Sequence, residues 1–450
     1  MSKKVLVIGS GPAGYPAALK LAALGAEVTV VEKNKAGGVC LNCGCIPSKS
    51  LLDAAHRFYT VKEAKTLSSN PEAGDAFFNS FDFAKIQARR QAAVDKLQRG
   101  VLALFKAAKV NYIEGEASFT SPNSVKINGE EMAFDAVIIA TGSKAFYPPP
   151  FDKYKEHLYD NSNIFTITEL PKRAVIIGGG VIGCEFACIF NALGVQSTIV
   201  ELAPSILPLE DESISRVLKT SFEKRGIKIM TSTSAEDMSV ENGVKTIRLA
   251  GGQTLEADLV LAAVGRTPDF QNLNLEAAGV EYDAKAVKVN PKTMQAKDNI
   301  YAAGDINRLC QLAHAATAQG ETAALNIMGL PAEYDNNLVP SAIYTWPEAA
   351  SVGLTLKKAL AQGYKARAKK SFMLANGRAV AQGETEGFAQ IIEDEETGLV
   401  LGAQIVGPGA GEMIHIPLMA MTFKIKAKEA GKVIFAHPTV SECLKEALLK

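Results

Sequence analysis

The chain has no apolar run approaching the ~20 residues that a membrane helix requires. Its start, Met-Ser-Lys-Lys-Val-Leu-Val-Ile-Gly, offers four apolar residues before a glycine, too few for a secretory leader. Neither charge is in excess: 48 basic residues balance 48 acidic ones, which leaves no basic surface for nucleic acid. Cysteine and histidine are scarce, seven and five in 450 residues, and only three cysteines, within six positions, cluster. The second ligand cluster that a metal site needs is missing, so no metal is expected. Without a leader the chain is expected in the cytoplasm, whose reducing thiol pool makes clustered cysteines catalytic rather than structural. What remains is a globular protein, 47% hydrophobic and 21% charged. Its length exceeds one ordinary domain, and roughly two to four are expected.

The cluster is Gly37-Gly-Val-Cys40-Leu-Asn-Cys43-Gly-Cys45-Ile-Pro-Ser-Lys49. On spacing alone its thiols can be a redox dithiol, part of a metal site, a single reactive thiol or a coincidence. The flanking sequence bears on the choice. Val5-Leu-Val-Ile runs into Gly9-Ser-Gly11-Pro-Ala-Gly14, a helical pattern follows, and Glu27-Val-Thr-Val-Val-Glu32 ends in an acid. Strand, GxGxxG, helix, strand and carboxylate make a dinucleotide fingerprint: glycines admit the pyrophosphate to a helix N-terminus, and the acid accepts ribose hydroxyls. The same order returns in Ala174-Val-Ile-Ile, Gly178-Gly-Gly180-Val-Ile-Gly183 and Ser197-Thr-Ile-Val-Glu201, offset throughout by 169 positions. Two dinucleotide sites in one chain imply electron transfer between two dinucleotides. The first unit adjoins the cysteines, and a dithiol exchanges electron pairs with a flavin more readily than with a nicotinamide, so FAD is expected at Gly9 to Glu32. NAD is expected at Gly178 to Glu201. No Lys or Arg follows Glu201 until Arg216, which favours NAD over NADP.

Between the units, residues 81–109 carry a helical pattern, 110–114 and 125–127 look like strands, and Ala136-Val-Ile-Ile-Ala-Thr141-Gly142 is a buried strand opening into a turn. Proline-rich 147–151 reads as a linker out of the first domain. A strand ending at Gly304-Asp305 would return the chain to the FAD. From about 338 the expectation is an antiparallel sheet with strands at 342–345, 366–372, 388–392 and 400–405 and helices at 412–424 and from 441 onward, suited to dimerisation. Met413, His415, Met419 and Met421 read as helix core, and Cys443 as packing.

Taken together, the cysteine motif, the two fingerprints, Ala140-Thr141-Gly142, Gly265-Arg266-Thr-Pro, Gly304-Asp305 and Ala436-His437-Pro-Thr-Val-Ser-Glu442 resemble the class I pyridine nucleotide-disulfide oxidoreductases over essentially the full length. The resemblance is strongest to the dihydrolipoamide dehydrogenase branch. It implies an α/β fold of two Rossmann-like domains, the NAD domain inserted in the FAD domain, plus a C-terminal α+β dimerisation domain. The expected bounds are 1–147 for the first part of the FAD domain, 148–266 for the NAD domain, 267–337 for the FAD-binding and central segment, and 338–450 for the interface. Spacing leaves a CxxC pair of Cys40 and Cys43 open; the resemblance implies Cys40 with Cys45, a flavin-facing thiolate at Cys45 and exchange with substrate at Cys40. It likewise implies His437 as base and Glu442 as its orienting acid, acting on the partner subunit's disulfide. Lys49 and Glu185 would pair beside the flavin, and Thr141, Gly142, Gly265, Arg266, Gly304, Asp305 and Ala313 would contact the cofactors. Cys43 departs from the family's usual apolar residue, and Phe435 from its usual histidine. The implied reaction oxidises protein-bound dihydrolipoamide with NAD+, on lipoyl proteins of 2-oxo acid dehydrogenase or glycine-cleavage complexes. The alternatives are a related NAD(P)H-dependent disulfide reductase, or an NADH oxidase or diaphorase.

Overall fold

The runs Val-Leu-Val-Ile and Ala-Val-Ile-Ile are apolar throughout rather than alternating, the pattern of strands covered on both faces. The computed structural model describes residues 2–450, and only the backbone at 66, 71 and 79. In it the first run lies in Lys4–Ile8, inside a six-stranded sheet ordered Gln295–Lys297, Ile300–Ala302, Ala136–Ile139, Lys4–Ile8, Glu27–Glu32, Asn111–Glu114. All neighbours are parallel except the edge strand Gln295–Lys297. The second run lies in Arg173–Ile177, in a parallel sheet ordered Lys228–Met230, Gln196–Val200, Arg173–Ile177, Leu259–Ala262. In both sheets the fingerprint strand has its successor on one side and a later strand on the other. That switch point opens a crevice at the strands' carboxyl ends, where an α/β sheet binds its ligand. Because Ile300–Ala302 pairs with Ala136–Ile139, the first sheet is completed by chain that follows the second sheet in sequence.

A two-stranded ribbon, Ser143–Ala145 against Arg266–Pro268, ties the exit from the first sheet to the exit from the second. Each parallel sheet is accompanied by a three-stranded antiparallel meander. One is Ala117–Ser121, Ser124–Ile127 and Glu130–Ala133; the other is Ala235–Glu241, Val244–Leu249 and Thr254–Ala257. The helical pattern at 81–109 forms Phe83–Ala107, started by Asp82, whose carboxylate accepts the amides of Ala84 and Lys85. This helix packs on Cys45–Ala64, the helix that carries the reactive motif.

The C-terminal sheet is antiparallel and five-stranded, ordered Ser341–Ile343, Ala349–Gly353, Val400–Val406, Phe388–Asp394, Ala366–Phe372. Ala349–Gly353 was not visible in the sequence pattern. Helix Ser441–Leu449 buries Cys443, Leu444, Ala447 and Leu448 against the sheet. The helix expected at 412–424 is instead two, Ala410–Met413 and His415–Thr422. This corrects the reading of its residues as core: Met413, Pro417 and Ala420 are buried, whereas His415 and Met419 point outward. Met419, Phe423, Val433 and Ile434 leave an apolar surface on this chain, with Ile434 94% exposed.

Candidate active site

The two fingerprints repeat atom by atom. Gly9 at φ 101° and Gly178 at φ 105° sit where a Cβ would come within 2.4 Å of the carbonyl oxygens of Ala140 and Ala263. A Cβ on Gly14 would lie 1.9 Å from the Gly9 oxygen, and one on Gly183 2.0 Å from that of Gly178. Glu32 accepts the amides of Ser10 at 2.8 Å and Asn34 at 2.9 Å; Glu201 accepts those of Gly179 at 2.6 Å and Ala203 at 2.7 Å. Both acids are buried at the strand ends. Helices Gly14–Ala23 and Val181–Ala192 start without a side-chain cap, and in the first the Gly14 and Tyr15 amides return to the Gly11 carbonyl inside the glycine turn. Around them a Cβ on Gly180, Gly142 or Gly265 would meet nothing within 4 Å, and the buried Thr141 hydroxyl has no partner. Open backbone, an uncapped helix start and a held carboxylate fit a dinucleotide at each crevice.

These contacts separate the two crevices experimentally. Gly14→Ala is expected to yield protein with at least about tenfold weaker flavin retention, since a clash so far inside contact distance exceeds ordinary overpacking. Gly183→Ala should keep its flavin and lose NAD+ binding by a similar factor. Bound flavin per chain and NAD+ titration check both.

Further cofactor candidates converge on the ribbon between the sheets. Gly304 at φ 83° turns the chain into Asp305, whose carboxylate accepts the Ser143 hydroxyl at 2.5 Å. Arg266 donates to the Ser143 hydroxyl at 2.7 Å and carbonyl at 2.6 Å. Gln319, fully buried, holds the turn by accepting the Gly304 amide at 2.8 Å and the Asn307 side chain at 2.9 Å. Ala313 opens the helix Ala313–Ile327, and Thr317 of that helix donates to the Pro12 carbonyl inside the first glycine turn. Cys310 is half-buried near Asp305, and burial pushes its thiol up. Ser143 and Gln319 carried no signal in the sequence, because neither residue type nor spacing marks them.

All seven cysteines carry free thiols. Cys40 lies in the short helix Gly38–Cys43 and Cys45 begins Cys45–Ala64, with Gly44 between them. Cys40 and Cys45 share a side-chain hydrogen bond. It lowers the Cys45 thiol to about 7, with the Lys49 ammonium adding to the shift against burial; a thiolate there also meets the favourable end of a 20-residue helix. The same bond, with burial, pushes Cys40 well above the ordinary thiol range. Of the two sulfurs, Cys45 is the more acidic, with Cys40 and Lys49 beside it.

Lys49 contacts both oxygens of Glu185, at 2.7 and 2.9 Å. Glu185 is 3% exposed on the second fingerprint helix and also accepts the Tyr344 amide at 3.2 Å. An exposed ion pair contributes ~0–1 kcal/mol. Here the carboxylate is buried, so Lys49 neutralises a charge that the protein could not otherwise hold, and the pair joins the reactive helix to the second crevice. Cys43 faces elsewhere: it packs against the core, with Arg266 and Asp160 beside its thiol, and burial pushes that thiol up.

His437 and Glu442 meet as the sequence motif suggests, Nδ1 lying 3.1 and 3.2 Å from the two carboxylate oxygens. Glu442 is held below the usual carboxylate range first by the Thr439 amide and then by His437. The His437 side chain is 79% exposed and has Glu442 as its partner in this chain, and neither cysteine of the pair contacts it. Among the described residues, no group of three His, Cys, Asp or Glu is placed to hold a metal, and no helix is long and apolar enough to cross a membrane.

The family described as pyridine nucleotide-disulphide oxidoreductase matches residues 3–320, and its dimerisation domain matches 339–448. The chain is similar to a dihydrolipoyl dehydrogenase of Thermus scotoductus, 39% identical over 454 residues, which cover 98% of this chain and 96% of the relative. A dihydrolipoyl dehydrogenase of Bacillus subtilis is 40% identical, with 98% and 95% covered. The solved structure of LpdA from Mycobacterium tuberculosis shares the fold with a TM-score of 0.92 at 26% identity, 99% of each chain covered.

Proposed function

The chain belongs to the pyridine nucleotide-disulphide oxidoreductases, and from that premise we propose how its own residues carry the reaction. It is an FAD- and NAD-dependent enzyme that oxidises dihydrolipoamide to lipoamide and reduces NAD+ to NADH, and it is a homodimer. The observation that carries the proposal is the adjoining Cys40 and Cys45 at the start of the long helix that also bears Lys49, an arrangement that makes Cys45 the more acidic sulfur. In the oxidised enzyme the pair is a disulfide. A thiol of dihydrolipoamide, deprotonated by His437 of the partner subunit, attacks the Cys40 sulfur; a mixed disulfide forms and Cys45 leaves as the thiolate. The second substrate thiol then displaces Cys40, lipoamide departs as a closed disulfide, and the two electrons remain on the Cys40–Cys45 dithiol. FAD, which Gly9, Gly11, Gly14 and Glu32 would hold, would supply two-electron redox chemistry between the dithiol and NAD+. Glu442 holds the His437 ring so that its other nitrogen faces the incoming thiol. The dihydrolipoamide is borne by lipoyl proteins of a 2-oxo acid dehydrogenase or glycine-cleavage assembly.

Mixing anaerobic holoenzyme with dihydrolipoamide and NAD+ is expected to give one NADH per lipoamide formed; no NADH would overturn the reading. The pH dependence has a sign. In the reduced pair the Cys45 thiol sits below its ordinary value, so above about 7 the electron-rich thiolate that hands the pair on persists, and as pH falls through that value it takes up a proton and that transfer is lost. The rate should fall progressively below neutral pH.

A further inference from the structure

The helix that bears Cys40 has six residues, too few to be stable by itself, so its position depends on what holds its ends. Its start is held from within: Asn42 donates to the carbonyls of Ala36 at 3.0 Å and Gly38 at 2.9 Å. Its end is held from another part of the fold. The Asn161 amide donates to the Cys43 carbonyl at 3.2 Å, while its oxygen accepts Arg266 Nη1 at 2.5 Å. Arg266 is itself anchored on Ser143, which bonds Asp305. Asn161 has little freedom, because the adjoining Asp160 is fixed by the Ser162 amide at 2.6 Å and the Tyr147 hydroxyl at 2.5 Å. Between the held Cys43 carbonyl and Cys45 stands only Gly44, the joint over which the two sulfurs are spaced.

We propose that Asn161 is a positioning residue for the redox pair, a clamp that fixes the Cys43 end of the short helix against Arg266 and so holds Cys40 where it hydrogen-bonds Cys45. The proposal rests on the Cys40–Cys45 reading above and adds a residue that touches neither sulfur. With the clamp removed, the short helix tilts at Gly44, the Cys40 to Cys45 hydrogen bond weakens, and the dithiol loses stability relative to the disulfide. The side chains facing Cys43 itself, Arg266 and Asp160, belong to the same network.

The test compares wild type, Asn161→Ala and Asn161→Gln as holoenzymes in anaerobic dithiothreitol redox buffers, reading the dithiol–disulfide equilibrium and the pH midpoint of the Cys45 thiolate. Asn161→Ala is expected to shift the equilibrium toward the disulfide between about twofold and tenfold, the range of one hydrogen bond, and to raise the midpoint. Asn161→Gln, which keeps the amide, is expected to recover part of the shift; Asn161→Ser serves in place of the alanine variant should the latter not fold. An unchanged equilibrium and midpoint, or a shift that glutamine leaves as large as alanine does, would overturn the clamp. A wild type whose thiolate midpoint lies far from neutrality would sink the underlying reading of the pair instead.

Discussion

Cys40→Ser is expected to lower dihydrolipoamide-dependent NADH formation by more than about 10³-fold, the scale on which loss of a covalent nucleophile acts. NADH-driven reduction of a dye should persist in the same variant. The asymmetry follows from what each sulfur does. Cys40 forms the mixed disulfide with substrate, and a serine oxygen cannot replace it in thiol–disulfide exchange. Electron flow from NADH to a dye uses the two dinucleotide crevices, whose glycines and carboxylates the substitution leaves untouched. The serine hydroxyl can also still donate toward Cys45, so the local geometry is little disturbed. Retained dihydrolipoamide turnover would exclude Cys40 as the exchanging thiol and return Cys43 to consideration; loss of both activities would point to a folding or flavin-binding defect.

Substitution of His437 by Gln should reduce the same reaction about 10²- to 10⁴-fold, the usual worth of a positioned general base. The informative measurement is mixing. His437 stands 79% exposed beside Glu442 and makes no contact with the cysteine pair of its own chain. If each imidazole serves the partner's disulfide, a dimer of one Cys40→Ser and one His437→Gln subunit holds one intact site, built from the second chain's cysteines and the first chain's histidine. Co-expression of these two inactive variants at equal levels is then expected to restore about a quarter of wild-type activity, since half of the dimers are mixed and each has one working site of two. Sites confined to single chains would give no restoration.

Much of this protein is legible in one dimension because its chemistry is local in sequence. A glycine turn that accepts a pyrophosphate must sit between a buried strand and a helix, so the GxGxxG units and the acids after them can be read in order. The repeat at 169 positions survives in the structure down to the same amide partners for Glu32 and Glu201. The motif at 436–442 likewise holds His437 and Glu442 five residues apart and in contact. Of the first meander only 125–127 was expected, and the second meander and Ala349–Gly353 were missed, where short strands carry little periodicity of their own and are set by their neighbours. His415 and Met419 were misread because a helix apolar on two faces looks like core, whereas one of those faces points out of the chain.

By itself, then, the sequence determined the two dinucleotide units, a matter of residue type at short spacing, while the redox cysteine pair and the histidine–glutamate pair came from the family resemblance that its motifs carry. Composition could not choose among three cysteines within six positions. The family resemblance implied Cys40 with Cys45, and the tertiary structure supplied the physical reason, setting Cys45 at a helix start with Cys40 and Lys49 alongside and Cys43 packed elsewhere, within the fields of Arg266 and Asp160. It also tied Lys49 to Glu185 across 136 positions and Asn161 to Cys43 across 118. The reason is physical: a thiol's acidity and a sulfur's reach depend on charges and donors within a few ångströms. Which groups stand that close is decided by how distant strands pack.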